Sequence, residues 1–298
     1  MKTYLECIPC FFRQALESSR KSGASKKTQK KILDALARAI PEISPKSCPP
    51  EMARVIHKQL RKITKRKDPY LKIKQQSNKV ALGIYDKLKR KVNHSHNKLL
   101  TAVELAIAGN IIDYGVKNSL NVDEELEKIL NQENKVIQKE SKKIFDYSKF
   151  KKSLKKAKTI LYLADNAGET VFDRVLIEEI KKIDNSKEII YAVKESPAIN
   201  DALMEDAVTC GIDKIAKVIS SGSDAPGTVL SICSKDFLKI YRKADMIISK
   251  GQGNFEALSS AKRPIFFMFM AKCEVIAREV NCKIGDVILR YIRGKNKV

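Results

Sequence analysis

Apolar residues in the second half of the chain occur in short runs, separated by stretches with helical spacing. We predict strands at 159–164, 188–193, 215–219, 245–249 and 265–270. Short apolar runs that alternate with helices are typical of parallel strands joined by right-handed crossovers. The pattern therefore predicts an α/β fold with a doubly wound, mostly parallel sheet, a Rossmann-like core.

The first half of the chain lacks such runs and has helical periodicity almost throughout. Helices are predicted at 26–40, 50–63, 69–92, 98–114 and 123–145, and a further helix begins at Cys7. The stretch 134–157 is rich in Lys and poor in apolar residues, so we place a boundary within it. The prediction is an all-helical N-terminal domain, 1–150, and an α/β catalytic domain, 151–298.

The three histidines and one later helix complete the prediction of elements. His57 is expected on a helix surface, and His94 and His96 in an exposed loop. A helix is expected from Asp201 to Cys210, with Asp201 in its first turn.

Composition is that of a globular protein, with 298 residues, 43% hydrophobic and 31% charged. The N-terminal residues lack the apolar stretch of a signal peptide, and no run reaches the length of a transmembrane helix. We therefore expect a cytoplasmic protein with no membrane partner.

Positive charge is concentrated in the first half. Residues 1–157 contain 36 Lys and Arg against 16 Asp and Glu, whereas residues 158–298 contain 22 against 19. Such a surface attracts nucleic acid or an anionic substrate, but Lys-rich helix faces in water give the same count. Because the lysines are scattered, aromatic residues are 6% and Trp is absent, a nucleic-acid partner is the less favoured interpretation.

The most informative stretch is the polar turn that follows the first predicted strand. It contains Asp165, Asn166 and Glu169 within five residues. Ligands of parallel sheets bind outside the carboxyl ends of the strands, and oxygen donors suit a hard cation such as Mg²⁺. The alternative is that Asp165 or Asn166 only caps the following helix.

Similar chemistry follows the other strands. Asp201 comes after the second strand, a loop rich in Gly after the fourth, and Lys272 after the fifth; that loop contains Lys250, Gly251, Gln252, Gly253 and Asn254. These ends should meet at one rim, with carboxylates for a cation and lysines and backbone amides for phosphate. Neither a Walker A motif nor a Gly-x-Gly-x-x-Gly turn is present.

Taken together, these motifs resemble the damage-control phosphatases, also known as the domain of unknown function 89 family. The resemblance is carried in order by Cys7-x-x-Cys10, typical of the prokaryotic subgroup, and by Gly109-Asn110-Ile-Ile-Asp113, Asp165-Asn-Ala-Gly-Glu169, Asn200-Asp201, Ser249-Lys-Gly-Gln-Gly-Asn-Phe-Glu256 and Ala271-Lys-Cys273. It implies metal-dependent hydrolysis of small phosphate monoesters, such as sugar phosphates and damaged or surplus metabolites. The eukaryotic Arg-Thr-x-Lys signature is only partly matched, because Phe269-Met-Ala precedes Lys272.

By this resemblance Asp165, Asn166 and Asp201 match the ligands of a divalent metal, namely Mg, Mn, Co or Ni. By the same resemblance Lys250, Gly251, Gln252, Gly253, Asn254 and Lys272 match contacts to the substrate phosphate. We further predict substrate binding by Asn110 and Asp113, and catalysis by Asp165, Asn166, Asp201, Glu169 and Lys272. Either Glu169 or Asp113 orients or deprotonates the attacking water.

The predicted function is a metal-dependent phosphomonoester hydrolase that uses metal-assisted attack of water on a small phosphorylated metabolite. An aspartyl-phosphate route would need a second Asp two residues after Asp165, where the chain has Ala167. Alternatives are a carboxyl methyltransferase or small-molecule binding protein on the same core, and an RNA-binding protein that uses the basic first half.

Cysteine chemistry is expected to lie outside the hydrolytic site. Cys7 and Cys10 form a Cys-x-x-Cys pair that is redox-active, metal-binding or simply buried. The other five cysteines are isolated in sequence, so a four-Cys zinc site would need distant residues to converge. The odd total of seven argues against a disulfide framework.

Overall fold

The fold was obtained as a computed structural model, which describes residues 1–42, 44, 46–109 and 144–294. Before the sheet, the described helices are α1 (Cys7–Lys21), α2 (Lys26–Ala39), α3 (Pro49–Thr64), α4 (Leu71–Gly83), α5 (Tyr85–His94), α6 (Lys98–Ala108) and α7 (Tyr147–Lys156). Sheet strands and further helices follow as β1 (Thr159–Leu163), α8 (Glu169–Ile183), β2 (Glu188–Val193), α9 (Met204–Thr209), β3 (Lys217–Ser220), α10 (Lys235–Lys243), β4 (Met246–Lys250), α11 (Gln252–Leu258), β5 (Ile265–Met270), α12 (Glu274–Val280) and β6 (Val287–Ile292).

The sheet has six strands in the order β3-β2-β1-β4-β5-β6. All neighbouring pairs are parallel except β5 and β6, which are antiparallel. The chain builds outward from β1 through β2 to β3, and then returns to the other side of β1 with β4. The predicted α/β architecture is confirmed, and its topological switch point lies between β1 and β4.

Register brings the ends of the three central strands to one level. Leu163 pairs with Ala192 of β2 and with Ser249 of β4. Two residues beyond this row, the chain reaches Asp165 after β1 and Gly251 after β4. The switch point therefore places the first polar turn directly beside the Gly-rich loop.

Strand side chains alternate between two hydrophobic cores. Ile160 and Tyr162 pack into a core shared with α6 and α8, and Leu161 and Leu163 pack into a core shared with α10 and α11. Burial on both faces explains why β1 reads as a continuous apolar run. The two-domain division at residue 150 remains a proposal; that residue lies within α7.

Helices α1, α2 and α3 enclose a separate, smaller core. From this unit α3 reaches the loops above the sheet. Arg54 pairs with Asp224, and Arg61 donates to the carbonyl oxygen of Pro197 at 2.6 Å. The helical half is therefore linked by polar contacts to the loops that follow β2 and β3.

Several element predictions differ from the structure. The helix expected over 69–92 is interrupted at Ile84, where φ is −103° and ψ is 1°, directly after Gly83. The helix expected from Asp201 begins only at Met204. Strand β6 was not predicted, because an antiparallel edge strand does not follow the βα alternation. Asn110, Asp113 and nearly all of the helix predicted at 123–145 lie outside the described residues.

The prediction for His57 was wrong. His57 lies on α3 with 3% of its surface exposed, and its ring meets that of Tyr70 edge-on at 6.4 Å between centroids. Its Nε2 has no hydrogen-bond partner among the described residues. Burial, with a smaller contribution from Arg61, lowers the pKa of His57 to about 3. His94 and His96 are exposed, as predicted, but His94 is the last residue of α5 rather than part of a loop.

None of the helices within the described ranges is both long enough and apolar enough to cross a bilayer.

His57 predicts a pH-dependent stability. Its folded pKa lies below its unfolded value of about 6.5, so the unfolded chain binds the proton first and stability falls as pH drops below about 6.5. Between about pH 6.5 and pH 3, each unit of pH lowers the free energy of unfolding by up to about 1.4 kcal/mol. Urea denaturation at pH 7.5 and 5.0 should show a smaller loss in His57→Phe than in the wild type. His94→Gln, at an exposed position, should retain the wild-type loss; equal losses in all three proteins would contradict the assignment.

Candidate active site

The turn after β1 is set by its backbone rather than by a capping side chain. Gly168 is the N-cap of α8, with φ of 82°, and no side chain of the helix terminus caps it. The alternative interpretation, in which Asp165 or Asn166 caps α8, is therefore not what the structure has. Both side chains remain in the site, 8% and 6% exposed respectively.

A short antiparallel bridge joins this turn to the segment after β2. Asn166 and Asp201 are bridge partners. The amide of Ala202 donates to the carbonyl oxygen of Asp165 at 2.8 Å, and that of Ala167 donates to Asn200 at 2.9 Å. Asp201 therefore lies in a paired, extended segment beside Asn166 rather than in the first turn of a helix.

The side chain of Asn166 links the carboxylates. Its Nδ2 donates to Glu169 Oε1 at 2.8 Å and to Asp165 Oδ2 at 3.1 Å. This orientation leaves the side-chain oxygen of Asn166, Oδ1, available to coordinate a cation.

Burial makes the charged form of these carboxylates costly. Desolvation raises the pKa of Asp165, and the nearby charge of Asp201 raises it further. Desolvation likewise raises the pKa of Glu169 and of Asp201, although Lys250 and Lys194 respectively oppose it. The Nζ of Lys194 lies 3.6 Å from Asp201 Oδ2, with both groups buried. The nearby lysines therefore offset only part of the cost of burying these carboxylates.

Lys250 lies beneath the site rather than on its surface. It is 1% exposed, and its Nζ contacts Asp173 Oδ1 at 2.7 Å and Glu169 Oε2 at 3.3 Å. Asp173 also accepts from the hydroxyls of Tyr162 and Tyr191, at 2.7 and 2.8 Å. Burial alone would lower the pKa of Lys250, but the Asp173 and Glu169 carboxylates raise it above its ordinary value.

Gly251 allows the loop after β4 to approach Asp165. Its φ is 79°, and a Cβ at this position would lie 2.0 Å from Asp165 Cγ. Asn254 anchors the same loop, because its Nδ2 donates to the carbonyl oxygens of Ala164 and Lys250 at 3.0 and 2.7 Å. The predicted Gly-rich loop is thus fastened directly onto the end of β1.

A narrow cleft lies between this loop and the end of β5. Its polar lining is Asp165, Glu169, Gln252 and Lys272, and its apolar lining is Ile107, Met268, Phe269 and Met270. The Oε1 of Gln252 accepts the backbone N–H of Lys272 at 3.0 Å. Gln252 therefore fixes the position of the chain that carries Lys272 at the mouth of the cleft.

The structure thus brings together Asp165, Asn166, Glu169, Asp201, Gly251 and Gln252, with Lys272 at the edge. Lys250 and Asn254, which were predicted to contact substrate, have their polar groups directed at buried carboxylates and at backbone. Sequence reasoning missed three contributors: Lys194, Asp173 and Asn78. Lys194 follows β2 directly, so its place at a strand end was the available signal; Asp173 and Asn78 lie within helices and gave none.

Within the part of the chain that the structure describes, no three His, Cys, Asp or Glu side chains form a metal-binding group. This includes the cysteines, so a four-Cys zinc site is not formed by the described residues. The oxygen set of Asp165, Asn166 and Asp201 differs from such a group, because it contains two carboxylates and one amide. All seven cysteines are free thiols, and burial raises the pKa of Cys7 and Cys10.

A protein-family model named "Damage-control phosphatase ARMT1-like domain" matches residues 3–288 of the chain. A damage-control phosphatase of Pyrococcus horikoshii is 36% identical over 301 residues, which cover 100% of both chains. A damage-control phosphatase of Archaeoglobus fulgidus is 35% identical over 81% of this chain and 82% of its own. An uncharacterised protein of Methanocaldococcus jannaschii is 39% identical over 95% of this chain and 93% of its own.

Structural comparison agrees with these matches. The crystal structure of the Pyrococcus horikoshii protein, described as a member of the domain of unknown function 89 family, superposes with a TM-score of 0.87. The superposition covers 99% of this chain and 100% of that one, at 32% sequence identity.

Gly251 and Gly83 predict opposite effects of the same substitution. Gly251→Ala should lower the free energy of unfolding by about 2 kcal/mol or more, because a positive φ costs about 1–2 kcal/mol and the new methyl group meets Asp165. Gly83→Ala lies in open space at the end of α4 and should be neutral or stabilising by up to about 1 kcal/mol. Urea denaturation measures both; equal stabilities of the two variants would contradict the close approach at Gly251.

Proposed function

We propose that this chain, which belongs to the damage-control phosphatase ARMT1-like family, is a metal-dependent phosphatase of small phosphate monoesters. The site of this activity is the cleft at the switch point between β1 and β4. Asp165, Asn166 and Asp201 are the proposed ligands of one divalent cation.

The observation that carries this proposal is an imbalance of buried charge. Among the residues that the structure describes, four carboxylates are buried at the site, namely those of Asp165, Glu169, Asp173 and Asp201, and two ammonium groups, those of Lys194 and Lys250, are buried against them. The charge of the exposed Lys272 acts on Asp165 and Glu169 from the mouth of the cleft. The difference of two negative charges is costly in a desolvated environment. A divalent cation matches it in magnitude.

The donor chemistry agrees with the charge. Carboxylate and amide oxygens are ligands of Mg²⁺ and related hard cations. When bound, the cation would supply Lewis-acid polarisation of a phosphoryl oxygen and a water of lowered pKa. Among the described residues, no third carboxylate joins Asp165 and Asp201 as a proposed ligand. Oxygens of the substrate and of water would therefore complete the coordination.

Residues of the chain then divide between contact and support. We assign Lys272, at the mouth of the cleft, and the backbone amides that follow Gly251 to the phosphoryl oxygens, where positive charge and N–H groups stabilise developing charge. The N–H of Gly251 itself donates to the carbonyl oxygen of Met268. We assign Lys250 a supporting role, because its Nζ is occupied by Glu169 and Asp173. Lys194 offsets the charge of Asp201.

Glu169 is the proposed group that orients or deprotonates the attacking water. It lines the cleft, and burial raises its pKa toward the range where a carboxylate accepts a proton effectively near neutral pH. Asp113, the other candidate, lies outside the described residues. Ala167 occupies the position where an aspartyl-phosphate enzyme would need its second Asp.

The substrate is proposed to be a small phosphorylated metabolite. The apolar side of the cleft, formed by Ile107, Met268 and Phe269, gives a surface for the carbon atoms of such a molecule. A mouse relative, 27% identical over 56% of this chain and 23% of its own, is named 4′-phosphopantetheine phosphatase. That compound therefore belongs in a substrate panel beside sugar phosphates.

Metal dependence is tested by phosphate release from this panel. Protein stripped with chelator should lose activity and regain it with Mg²⁺, Mn²⁺, Co²⁺ or Ni²⁺. Full turnover in excess chelator, with no metal found by elemental analysis, would refute the metal-dependent mechanism. Salt-dependent RNA binding without any phosphate release would instead favour the nucleic-acid alternative.

Asp201→Asn tests the ligand set, because it preserves size and removes one charge. As a ligand, Asp201 should contribute at least the 10–100-fold in metal affinity or activity that even an outer-shell partner contributes. We expect a folded protein with weakened metal binding by calorimetry and little phosphatase activity. Asp184→Asn, on the exposed turn after α8, is the matched control and should behave as wild type. Wild-type metal affinity and turnover in Asp201→Asn would remove Asp201 from the ligand set.

A further inference from the structure

The backbone N–H of Gly168 is held by a side chain from the helical half of the protein. It donates to Oδ1 of Asn78 at 2.7 Å. Asn78 lies on α4, 90 residues earlier in the chain, and is 3% exposed. Gly168 stands between Asn166 and Glu169 at a positive φ. The contact therefore holds Gly168, the positive-φ residue of the turn that carries the proposed ligands Asp165 and Asn166.

The other end of the Asn78 amide is equally determined. Its Nδ2 donates to Oδ1 of Asp206 at 2.8 Å. A backbone N–H needs an acceptor and a carboxylate accepts only, so both contacts require the same orientation of the amide. Asn78 is thus a fixed bridge from the β1 turn to Asp206.

Asp206 extends the bridge to the segment that carries Asp201. Its Oδ2 accepts the backbone N–H of Leu203 at 2.9 Å, two residues after Asp201. Lys74, one turn before Asn78 on α4, lies 3.4 Å from the same oxygen and 2.9 Å from Asp68. Every polar group in this chain of contacts is buried or nearly so, which makes each lost partner costly.

We propose that Asn78 is a positioning residue for the active site, which holds the Asp165–Glu169 turn and the Asp201 segment in register through Gly168 and Asp206. This inference rests on the proposed function for its catalytic consequence. It assigns to α4 a role in the chemistry without any contact with substrate or metal. Loss of the Asn78 contacts leaves the backbone bridge between Asn166 and Asp201 as the remaining tie, and loosens Gly168 and the adjacent Glu169 relative to the Asp201 segment.

The first experiment compares Asn78→Ala with Ser77→Ala, its neighbour on α4. Ser77 is equally buried, and its Oγ has no hydrogen-bond partner among the described residues. Hydrogen exchange of the Gly168 amide, followed by NMR, should be at least tenfold faster in Asn78→Ala and unchanged in Ser77→Ala. This readout requires no catalysis, so it tests the bridge even if wild-type protein releases no phosphate.

Function is measured in the same variants. Asn78→Ala should lose tenfold or more in kcat or in Mn²⁺ affinity by calorimetry, in the range of outer-shell partners, with a smaller change in KM. Ser77→Ala should retain both. Wild-type Gly168 exchange, or wild-type turnover and Mn²⁺ affinity together, in folded Asn78→Ala would overturn the proposal.

A swapped pair separates positioning from general destabilisation. Asn78→Asp alone places two carboxylates in contact, whereas Asn78→Asp with Asp206→Asn restores a donor opposite an acceptor and keeps a carboxylate four residues from Lys74. The double variant should recover at least part of the exchange protection and turnover lost in Asn78→Asp. If Asn78→Ala does not fold, this pair decides alone. A double variant no better than the single one would overturn the bridge.

Discussion

The burial of several carboxylates at the end of β1 is the constraint on which the rest of the site depends. Removing such charges from water costs several kcal/mol each unless partners compensate. Lys250 and Lys194 supply part of that compensation from beneath and beside the site. The part that they leave, which contributes to the raised pKa values of Asp165 and Asp201, is what the proposed cation would offset.

The sheet topology makes this concentration of charge feasible. At the switch point the loops after β1 and β4 diverge to opposite faces and leave a crevice into which carboxylates can project. Gly251 lets the second loop close against Asp165, and the bridge between Asn166 and Asp201 draws in the segment after β2. The helical half contacts these turns through Asn78, which accepts from the N–H of Gly168 and donates to Asp206 of α9.

Sequence reasoning reached the strands and the position of the polar turn after β1 because both depend on local signals. The apolar run of β1 followed by Asp165 and Asn166 predicts the turn from spacing alone, whereas its ligand role came from the resemblance to the family and stays a proposal. The burial of His57 and Lys250 could not be predicted, because the sequence around a single polar residue on a helix or at a strand end does not show what will pack against it. Strand β6 was missed for a related reason: its pairing with β5 is an antiparallel return at the sheet edge, which the alternating pattern does not predict.

The central claim is that one divalent cation binds between the ends of β1 and β2. It is tested most directly by anomalous X-ray scattering from crystals soaked in Mn²⁺. The account predicts a single strong peak within about 2.5 Å of oxygens from Asp165, Asn166 and Asp201, a coordination distance expected for hard cations. A peak elsewhere, such as beside the thiols of Cys7 and Cys10, with none at Asp165 would contradict it.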